Sequence, residues 1–217
     1  MKFFIDTANL DDIQEAQQMG VLDGVTTNPT HISKEKGTFE EIIFRICEAV
    51  DGPVSAEVVS TQWEEMVEEA RRVSGIHEQV VVKVPIILDG LKAIKACHEE
   101  GIRTNVTLCF SPIQALMAAK AGGDYISPFV GRLDDAQHIG MDLVRSIRTI
   151  YDNYGFETEI LAASLRSPVH VLESAEAGAD VATMPPDVLK KLLVHPMTDI
   201  GLEMFLKDWA SWQGNKK

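Results

Sequence analysis

Val80-Val81-Val82-Lys83-Val84-Pro85 is an apolar run interrupted by one lysine. Its β-branched residues predict a strand that is buried on both faces, as the strands of a parallel sheet are. A lysine in such a strand either points inward or reaches solvent from the strand end. Because burial disfavours the charged ammonium, an inward Lys83 would be a candidate amine nucleophile that forms an imine with a ketone. The rest of the chain decides between these two interpretations.

Working outward from this run, short β-rich segments alternate with longer amphipathic segments along nearly the whole chain. That alternation is typical of repeated βα units around a parallel sheet. The predicted strands span residues 2–6, 24–26, 54–58, 80–84, 104–108, 125–127, 159–163 and 181–184. Eight such units favour a closed barrel. The first strand is not followed by a glycine-rich phosphate loop, which disfavours a doubly wound dinucleotide fold.

The predicted fold class is therefore α/β, with a single-domain (β/α)8 TIM barrel over residues 1–195. Amphipathic segments between the strands predict the outer helices. One such helical face consists of Met141, Val144, Ile147 and Tyr151. A further amphipathic segment, residues 196–212, exceeds the eight-unit count and predicts an appended C-terminal helix. Residues 213–217 are polar and predict a frayed tail.

The composition and charge of the chain argue against several classes of function. The 217 residues are 45% apolar and 24% charged, with neither a cleavable leader nor a membrane span apparent, so we expect a cytoplasmic protein. Cys47, Cys97 and Cys109 lack redox or metal-ligand spacing. The histidines lack ligand spacing as well, so no metal is predicted. A net charge of −13 without a basic run argues against nucleic acid and anionic membrane as partners.

Polar side chains close nearly every predicted strand, and the chemistry of a parallel barrel lies at these carboxyl ends. The residues are Asp6, Thr26, Thr27, Asn28, Glu57, Lys83, Asn105, Thr107, Ser127, Ser164 and Arg166. Each alone has a structural explanation as a helix cap, a β-branched strand residue or a solvated charge. Together, around a lysine at one end of a barrel, they predict an active site. Asp134-Asp135 is instead interpreted as loop and helix N-terminal charge.

Seven ordered motifs carry these residues, and they resemble the transaldolases of the short bacterial and archaeal subfamily, as well as the fructose 6-phosphate aldolases that share their scaffold. The motifs are Phe4-Ile5-Asp6-Thr7-Ala8-Asn9, Gly24-Val25-Thr26-Thr27-Asn28-Pro29, Ser55-Ala56-Glu57, Val82-Lys83-Val84-Pro85, Asn105-Val106-Thr107-Leu108, Ser127-Pro128-Phe129-Val130-Gly131-Arg132 and Ala163-Ser164-Leu165-Arg166. The resemblance runs from Met1 to about Trp209. It implies a class I barrel enzyme with Lys83 as the Schiff-base residue. Two positions depart from the family pattern, since Ile87 replaces a threonine and His31 an apolar residue, and neither is predicted to take part in the chemistry.

The resemblance also implies a role for each site residue. Transfer of a dihydroxyacetone unit from a ketose phosphate to an aldose phosphate would begin with attack of the Lys83 amine on the donor ketone. Glu57 would act through a water held by Thr107, and Asp6 would take the donor hydroxyl proton. Substrate hydroxyls and the enamine would be bound by Asn28, Asn105 and Ser127, and the phosphate by Arg132, Arg166 and Ser164. No cofactor is implied, because the imine itself is the electron sink.

Glu57 and Phe129 favour a transferase over a lyase, because the fructose 6-phosphate aldolase pattern has glutamine and tyrosine at the matching places. A phenolic hydroxyl can relay a proton to the enamine, whereas phenylalanine cannot. The lyase stays open as an alternative. A sugar-phosphate-binding barrel without turnover is disfavoured by the intact Lys83, Glu57 and Asp6. A deoxyribose-phosphate aldolase is disfavoured by the order of the motifs.

The expected partners are small-molecule sugar phosphates and further copies of the chain. Residues 202–209 carry an apolar face after the barrel is already complete, so another surface should cover it. The resemblance implies that this surface belongs to a neighbouring subunit in a pentamer or decamer. The alternative is that the helix folds back on its own barrel.

Overall fold

Eight parallel strands pair in chain order, and the first strand closes the barrel against the last. The computed structural model describes residues 1–214. The strands are β1 Lys2–Asp6, β2 Gly24–Thr26, β3 Val54–Glu57, β4 Val80–Pro85, β5 Thr104–Cys109, β6 Tyr125–Pro128, β7 Glu159–Ala162 and β8 Val181–Met184. Each predicted strand differs from the observed one by at most one residue at an end. The predicted (β/α)8 barrel is confirmed.

Helices follow the strands and cover the outside of the barrel. They are α1 Leu10–Gln18, α2 Pro29–Ile32, α3 Phe39–Ala49, α4 Trp63–Ser74, α5 Leu88–Glu99, α6 Pro112–Ala121, α7 Val130–Asp135, α8 Gly140–Tyr154, α9 Pro168–Glu176, α10 Pro186–Lys191 and α11 Pro196–Gly214. Local sequence sets their ends. In α6, for example, Ser111 and Gln114 form a capping box, and Gly122 ends the helix in the left-handed conformation, which glycine adopts without steric cost.

The main core lies between the helices and the outer face of the sheet. The predicted apolar face of α8 is confirmed, because Met141, Val144, Ile147 and Tyr151 are all buried. The Tyr151 hydroxyl donates to the Ala115 carbonyl at 2.9 Å, which satisfies the one polar atom of that buried side chain. Burial raises the pKa of Tyr151. The phenol therefore stays neutral and serves packing.

A second apolar cluster fills the inside of the barrel and forms the floor of its carboxyl end. Its buried members are Phe4, Val81, Tyr125, Leu161, Ala163 and Val181. Successive side chains of a strand alternate between faces, so the residue two positions later shares the interior. That rule places Asp6, Lys83, Ser127 and Thr183 on the same inward side, one layer above the cluster. An apolar floor with a polar layer above it is how this fold positions a site.

The appended C-terminal helix is present as α11, and it contains no buried residue. It extends to Gly214, so the first two residues of the predicted tail 213–217 are helical, while residues 215–217 lie outside the described part of the chain. None of the helices within residues 1–214 combines the length and the apolar character that crossing a membrane requires.

Candidate active site

A cavity of about 400 Å³ opens at the carboxyl ends of the strands. Its lining includes nine of the eleven residues to which the family resemblance assigns a role: Asp6, Asn28, Glu57, Lys83, Thr107, Ser127, Phe129, Arg132 and Ser164. The cavity is completed by Thr26, Pro29, Thr30, His31, Leu108, Ala163 and Thr183. Asn105 and Arg166 are the two predicted residues that do not line it.

Lys83 points into the barrel and not to solvent. Its side chain is 7% exposed, and its Nζ lies 2.8 Å from Glu57 Oε2. The same nitrogen donates to the Thr27 carbonyl at 3.1 Å. Glu57 and Lys83 are register partners on β3 and β4, so the strand pairing itself brings the two side chains together. The interpretation of Lys83 as an inward residue is confirmed, and the snorkelling alternative is wrong.

The buried ion pair gives Lys83 a proton acceptor within contact distance. An amine attacks a carbonyl only after losing its proton, and a carboxylate at 2.8 Å is positioned to receive that proton. Thr107 lies on β5, next to β4, and its hydroxyl oxygen is fully buried with no hydrogen-bond partner among the described residues. A buried hydroxyl that lines a cavity without a partner is suited to bind a water or a substrate oxygen.

Asp6 is held by a chain of two hydroxyl groups. Thr26 donates to Asp6 Oδ1 at 2.9 Å, and the Thr26 and Thr183 hydroxyl oxygens are 2.6 Å apart. Because the Thr26 proton is used on Asp6, Thr183 must be the donor of the second bond. On the other side, His31 Nε2 lies 3.5 Å from Asp6 Oδ2. This carboxylate is thus fixed at one oxygen and approached by an imidazole at the other.

Thr183 and His31 line the cavity, although the sequence did not predict either of them as a site residue. Asn28 caps α2 by accepting from the His31 backbone N–H at 3.0 Å. This cap turns the third residue of the short helix back over the barrel mouth. The spacing of His31 from Asn28 is therefore the signal that could have identified it. For Thr183, the signal is its place two residues after Val181 on β8.

Asn105 lies deeper than predicted. It is fully buried, its Nδ2 donates to Ser55 Oγ at 3.0 Å, and its Oδ1 accepts from Ser127 Oγ at 2.7 Å. The reason is the strand rise of roughly 3.3 Å per residue, which leaves Asn105 about 6–7 Å below Thr107 on β5. Asn105 consequently orients the Ser127 hydroxyl, which does line the cavity.

Phe129 forms one wall of the mouth. Its ring packs edge-on against Phe110, with centroids 5.6 Å apart, and the Arg132 guanidinium carbon lies 5.1 Å from the centre of the Phe129 ring. This cation–π contact places Arg132 at the cavity and leaves its N–H groups available to an anion. The expectation that Phe129 shares the cavity with Ser127 is confirmed by the lining.

Arg166 is turned away from the cavity by an acidic partner. Two of its guanidinium nitrogens donate to the two carboxylate oxygens of Asp135, at 2.5 and 2.7 Å. This bond holds the pKa of the Asp135 carboxyl below its usual value. Asp134 and Asp135 end α7, and Asp134 Oδ1 accepts from the Gly140 backbone N–H at the start of α8 at 2.8 Å, so the interpretation as helix N-terminal charge holds for Asp134 and is wrong for Asp135. Asp135 was missed as the partner of Arg166 because it comes from a different βα unit.

The backbone at the cavity rim adopts uncommon conformations. Leu108 and Ser164 both line the cavity, and they have positive φ values of 60° and 59° without being glycine. Leu108 lies where the β5–β6 register shifts between Val106 and Cys109. Residues held in the left-handed region store strain, and such residues concentrate at functional sites.

The remaining reactive groups are not arranged for catalysis. Burial raises the pKa of the Cys109 thiol, the most enclosed of the three, to about 12, so it stays protonated at neutral pH. Within residues 1–214, no group of three or more His, Cys, Asp or Glu side chains is arranged to hold a metal ion.

Comparison with known proteins agrees with this geometry. A sequence model of the family described as Transaldolase/Fructose-6-phosphate aldolase matches residues 3–216. The chain is 59% identical over 213 residues to a probable transaldolase of Petrotoga mobilis, covering 98% of this chain and 96% of that protein. It is 61% identical over 209 residues to a probable transaldolase of Desulfosudis oleivorans, covering 96% and 98%. A probable transaldolase of Thermodesulfovibrio yellowstonii is 58% identical over 209 residues, with the same coverage.

Proposed function

We propose that this chain, which belongs to the transaldolase/fructose-6-phosphate aldolase family, is a transaldolase that moves a dihydroxyacetone unit between sugar phosphates through an imine on Lys83. The donor would be sedoheptulose 7-phosphate or fructose 6-phosphate, and the acceptor an aldose phosphate, as in the pentose phosphate pathway. The observation that carries the proposal is the Lys83–Glu57 pair at 2.8 Å, inside a cavity that also holds Asp6, Thr107 and Phe129.

Imine formation starts with the transfer of a proton from Lys83 to Glu57. The free amine then attacks the donor ketone, one amine proton moves to the new alkoxide, and the carbinolamine loses its oxygen as water to give the protonated imine. Glu57 returns the proton to the departing oxygen through a water held by Thr107, whose buried hydroxyl lacks a partner among the described residues. Hydrolysis of the product imine runs the same steps in reverse.

Carbon–carbon cleavage uses the second carboxylate. Asp6 takes the proton of the donor C4 hydroxyl, the C3–C4 bond breaks, and its electron pair passes into an enamine on Lys83 while the aldehyde leaves. Addition of the acceptor aldehyde reverses these steps, with Asp6 returning its proton to the new hydroxyl. Asn28 and Ser127 bind substrate hydroxyls from the cavity wall. Two carboxylates in different settings thus move two different protons.

Phe129 is the reason to prefer transferase over lyase. Its ring forms the mouth wall and offers no hydroxyl that could protonate the enamine. The enamine therefore persists until an aldehyde acceptor arrives. The alternative is a fructose 6-phosphate aldolase, which would release free dihydroxyacetone.

Phosphate binding falls to Arg132 and Ser164, which line the cavity, and to Arg166 once it leaves Asp135. Arginine matches phosphate oxygens through its planar pair of N–H groups. The Arg166 stem lies close to Gly131, where an added Cβ would approach Nε within 2.7 Å. Release of Arg166 from Asp135 would add a second guanidinium to that of Arg132, in a protein with a net charge of −13.

We also propose a homo-oligomer, a pentamer or decamer, in which α11 packs on a neighbouring subunit. Phe205, Leu206 and Trp209 are each more than half exposed. An apolar helix surface of this kind is covered in a stable protein.

The cytoplasm is the proposed location, supported by the three cysteines, all of them free and buried. The high acidic charge supports the absence of nucleic acid and membrane partners.

The experiment that tests this function measures products from fructose 6-phosphate, with and without erythrose 4-phosphate. A transaldolase forms sedoheptulose 7-phosphate continuously when the acceptor is present. Without it, the enzyme releases glyceraldehyde 3-phosphate only up to about one equivalent per active site. Continuous release of dihydroxyacetone without acceptor would establish the lyase, and no turnover under either condition would establish a binding protein.

A further inference from the structure

His31 is a titratable group at the mouth of the cavity that the proposed reaction does not use. It lines the cavity from α2, and its side chain is one quarter exposed. Its Nε2 lies 3.5 Å from Asp6 Oδ2, the carboxylate oxygen that Thr26 does not bond. The two hydroxyl groups fix one side of Asp6, so the imidazole is the variable neighbour on the other side.

A histidine beside a carboxylate can influence that carboxylate through its own charge. Histidine is the side chain whose ordinary pKa lies between pH 5 and 8. An imidazolium at 3.5 Å stabilises the carboxylate anion and makes it a weaker base, whereas a neutral imidazole does not. Both side chains are partly exposed, so solvent reduces this effect without removing it.

We propose that His31 is a positioning residue for Asp6, which makes carbon–carbon cleavage slower when His31 is protonated. The inference rests on the proposed function, in which Asp6 accepts the C4 hydroxyl proton as the C3–C4 electron pair enters the enamine. The contact between His31 and Asp6 gives the direction of the pH effect on cleavage. Lowering the pH protonates His31, the Asp6 carboxylate becomes a weaker base, and transfer of the hydroxyl proton to it slows.

The other charged side chains that line the cavity have contacts of their own. Those that line the same cavity are Asp6 on β1, Glu57 on β3, Lys83 on β4 and Arg132 on α7. Glu57 and Lys83 are paired with each other, and Arg132 lies over the Phe129 ring. The residues of α2 itself, Pro29–Ile32, include no other charged side chain, although Lys34 and Glu35 follow. His31 is thus the ionisable side chain that approaches Asp6 Oδ2.

The test compares the native protein with His31→Gln and His31→Leu in the cleavage half-reaction. Enzyme in excess is mixed with fructose 6-phosphate without acceptor, and the first turnover of glyceraldehyde 3-phosphate is followed between about pH 5.5 and pH 8. Glutamine places an amide nitrogen near the position of Nε2 without titrating, and leucine removes the polar group. His98→Gln, at an exposed histidine on α5 that does not line this cavity, is the matched control.

We expect the ratio of variant to native rate to be about threefold or more higher at pH 5.5 than at pH 8, for both His31 variants. The ratio for His98→Gln should stay constant. His31→Gln should keep more of the rate at pH 8 than His31→Leu, because glutamine keeps an uncharged polar side chain of similar reach that can position Asp6, as neutral His31 does. A purely structural role would lower the rate equally at every pH.

Ratios that do not change with pH for both His31 variants would overturn the inference. That result is distinguishable from failure of the proposed function. If the native protein releases no stoichiometric glyceraldehyde 3-phosphate at any pH, the function itself is wrong. A stoichiometric native burst with pH-independent ratios refutes the role of His31 alone.

Discussion

Lys83 Nζ and Glu57 Oε2 are 2.8 Å apart because the two residues are register partners on adjacent strands of the barrel. A side-chain rotation that separates the two groups costs free energy, because each would remain a largely buried charge without its partner. The same ion pair therefore contributes both to the stability of the fold and to the proposed reaction. The residue that serves as nucleophile and the residue that takes its proton are also the residues that compensate each other's charge.

Substitution of Lys83 should therefore change both the activity and the stability of the protein. We expect Lys83→Met to abolish transfer and to lower the free energy of unfolding by about 1–3 kcal/mol, because Glu57 and the Thr27 carbonyl lose their partner. Lys83→Met combined with Glu57→Gln should be more stable than Lys83→Met alone, since no uncompensated carboxylate is left. Urea unfolding curves give the free energy of unfolding of both variants. Equal stability of the single and double variants would contradict the linkage.

Phe129→Tyr should shift the enzyme toward a lyase. The new hydroxyl lies at the cavity mouth, where it can protonate the enamine. Release of dihydroxyacetone from fructose 6-phosphate without acceptor should rise about tenfold or more, and transfer to erythrose 4-phosphate should fall. Phe110→Tyr is the control, because Phe110 packs against Phe129 without lining the cavity. A native enzyme that already releases dihydroxyacetone, at a rate unchanged in Phe129→Tyr, would replace the transferase with the lyase.

Asp135→Asn should strengthen the binding of phosphorylated donors. Loss of the carboxylate frees Arg166 for phosphate, and KM for fructose 6-phosphate should fall about two- to fivefold. The pKa of Asp135 is held below its usual value, so the pair forms above that lowered pKa and breaks only as the pH falls through it. The effect should hence be constant from about pH 5 to pH 8.

Two controls separate phosphate from general charge effects in this experiment. Asp142→Asn removes the same charge from an exposed residue that pairs with Arg145, and it should leave KM unchanged. Dihydroxyacetone, which carries no phosphate, should bind the native and Asp135→Asn proteins equally. An equal fall in KM for both Asp variants would assign the effect to net charge and remove Arg166 from the phosphate site.

Truncation after His195 should dissociate the assembly. The change deletes α11, whose apolar residues are exposed in the single chain. Because the barrel core contains no residue from this helix, the shortened protein should still fold, as circular dichroism would show. Light scattering should report a monomer or a much smaller assembly than for the whole chain. An unchanged assembly size would exclude α11 from the subunit contacts.

Much of this architecture could be predicted from the sequence, because its signals are local. The runs that became strands are short, mostly apolar or β-branched, and separated by longer amphipathic segments, so their ends were predicted to within one residue. The alternation of side chains along each strand then places Asp6, Lys83 and Ser127 on the inner side. The cavity lining depends mainly on such alternation, which explains why nine of the eleven predicted residues line it.

The remaining placements depend on distances between elements that no local pattern contains. Arg166 pairs with Asp135 of the preceding βα unit, a contact set by how α7 ends beside the loop after β7. Asn105 is a strand-end residue by sequence, yet Thr107 lies two positions further along β5, which leaves Asn105 below the cavity. His31 reaches the mouth through one turn of α2, where Asn28 supplies the cap.

The central claim is that Lys83 forms the covalent imine, and trapping that imine tests it most directly. The native protein is incubated with fructose 6-phosphate, reduced with borohydride, digested and mapped by mass spectrometry. We expect one stable adduct, on Lys83, formed in step with loss of activity and absent from Lys83→Met. No adduct on any lysine, or an adduct on a lysine other than Lys83, would contradict it.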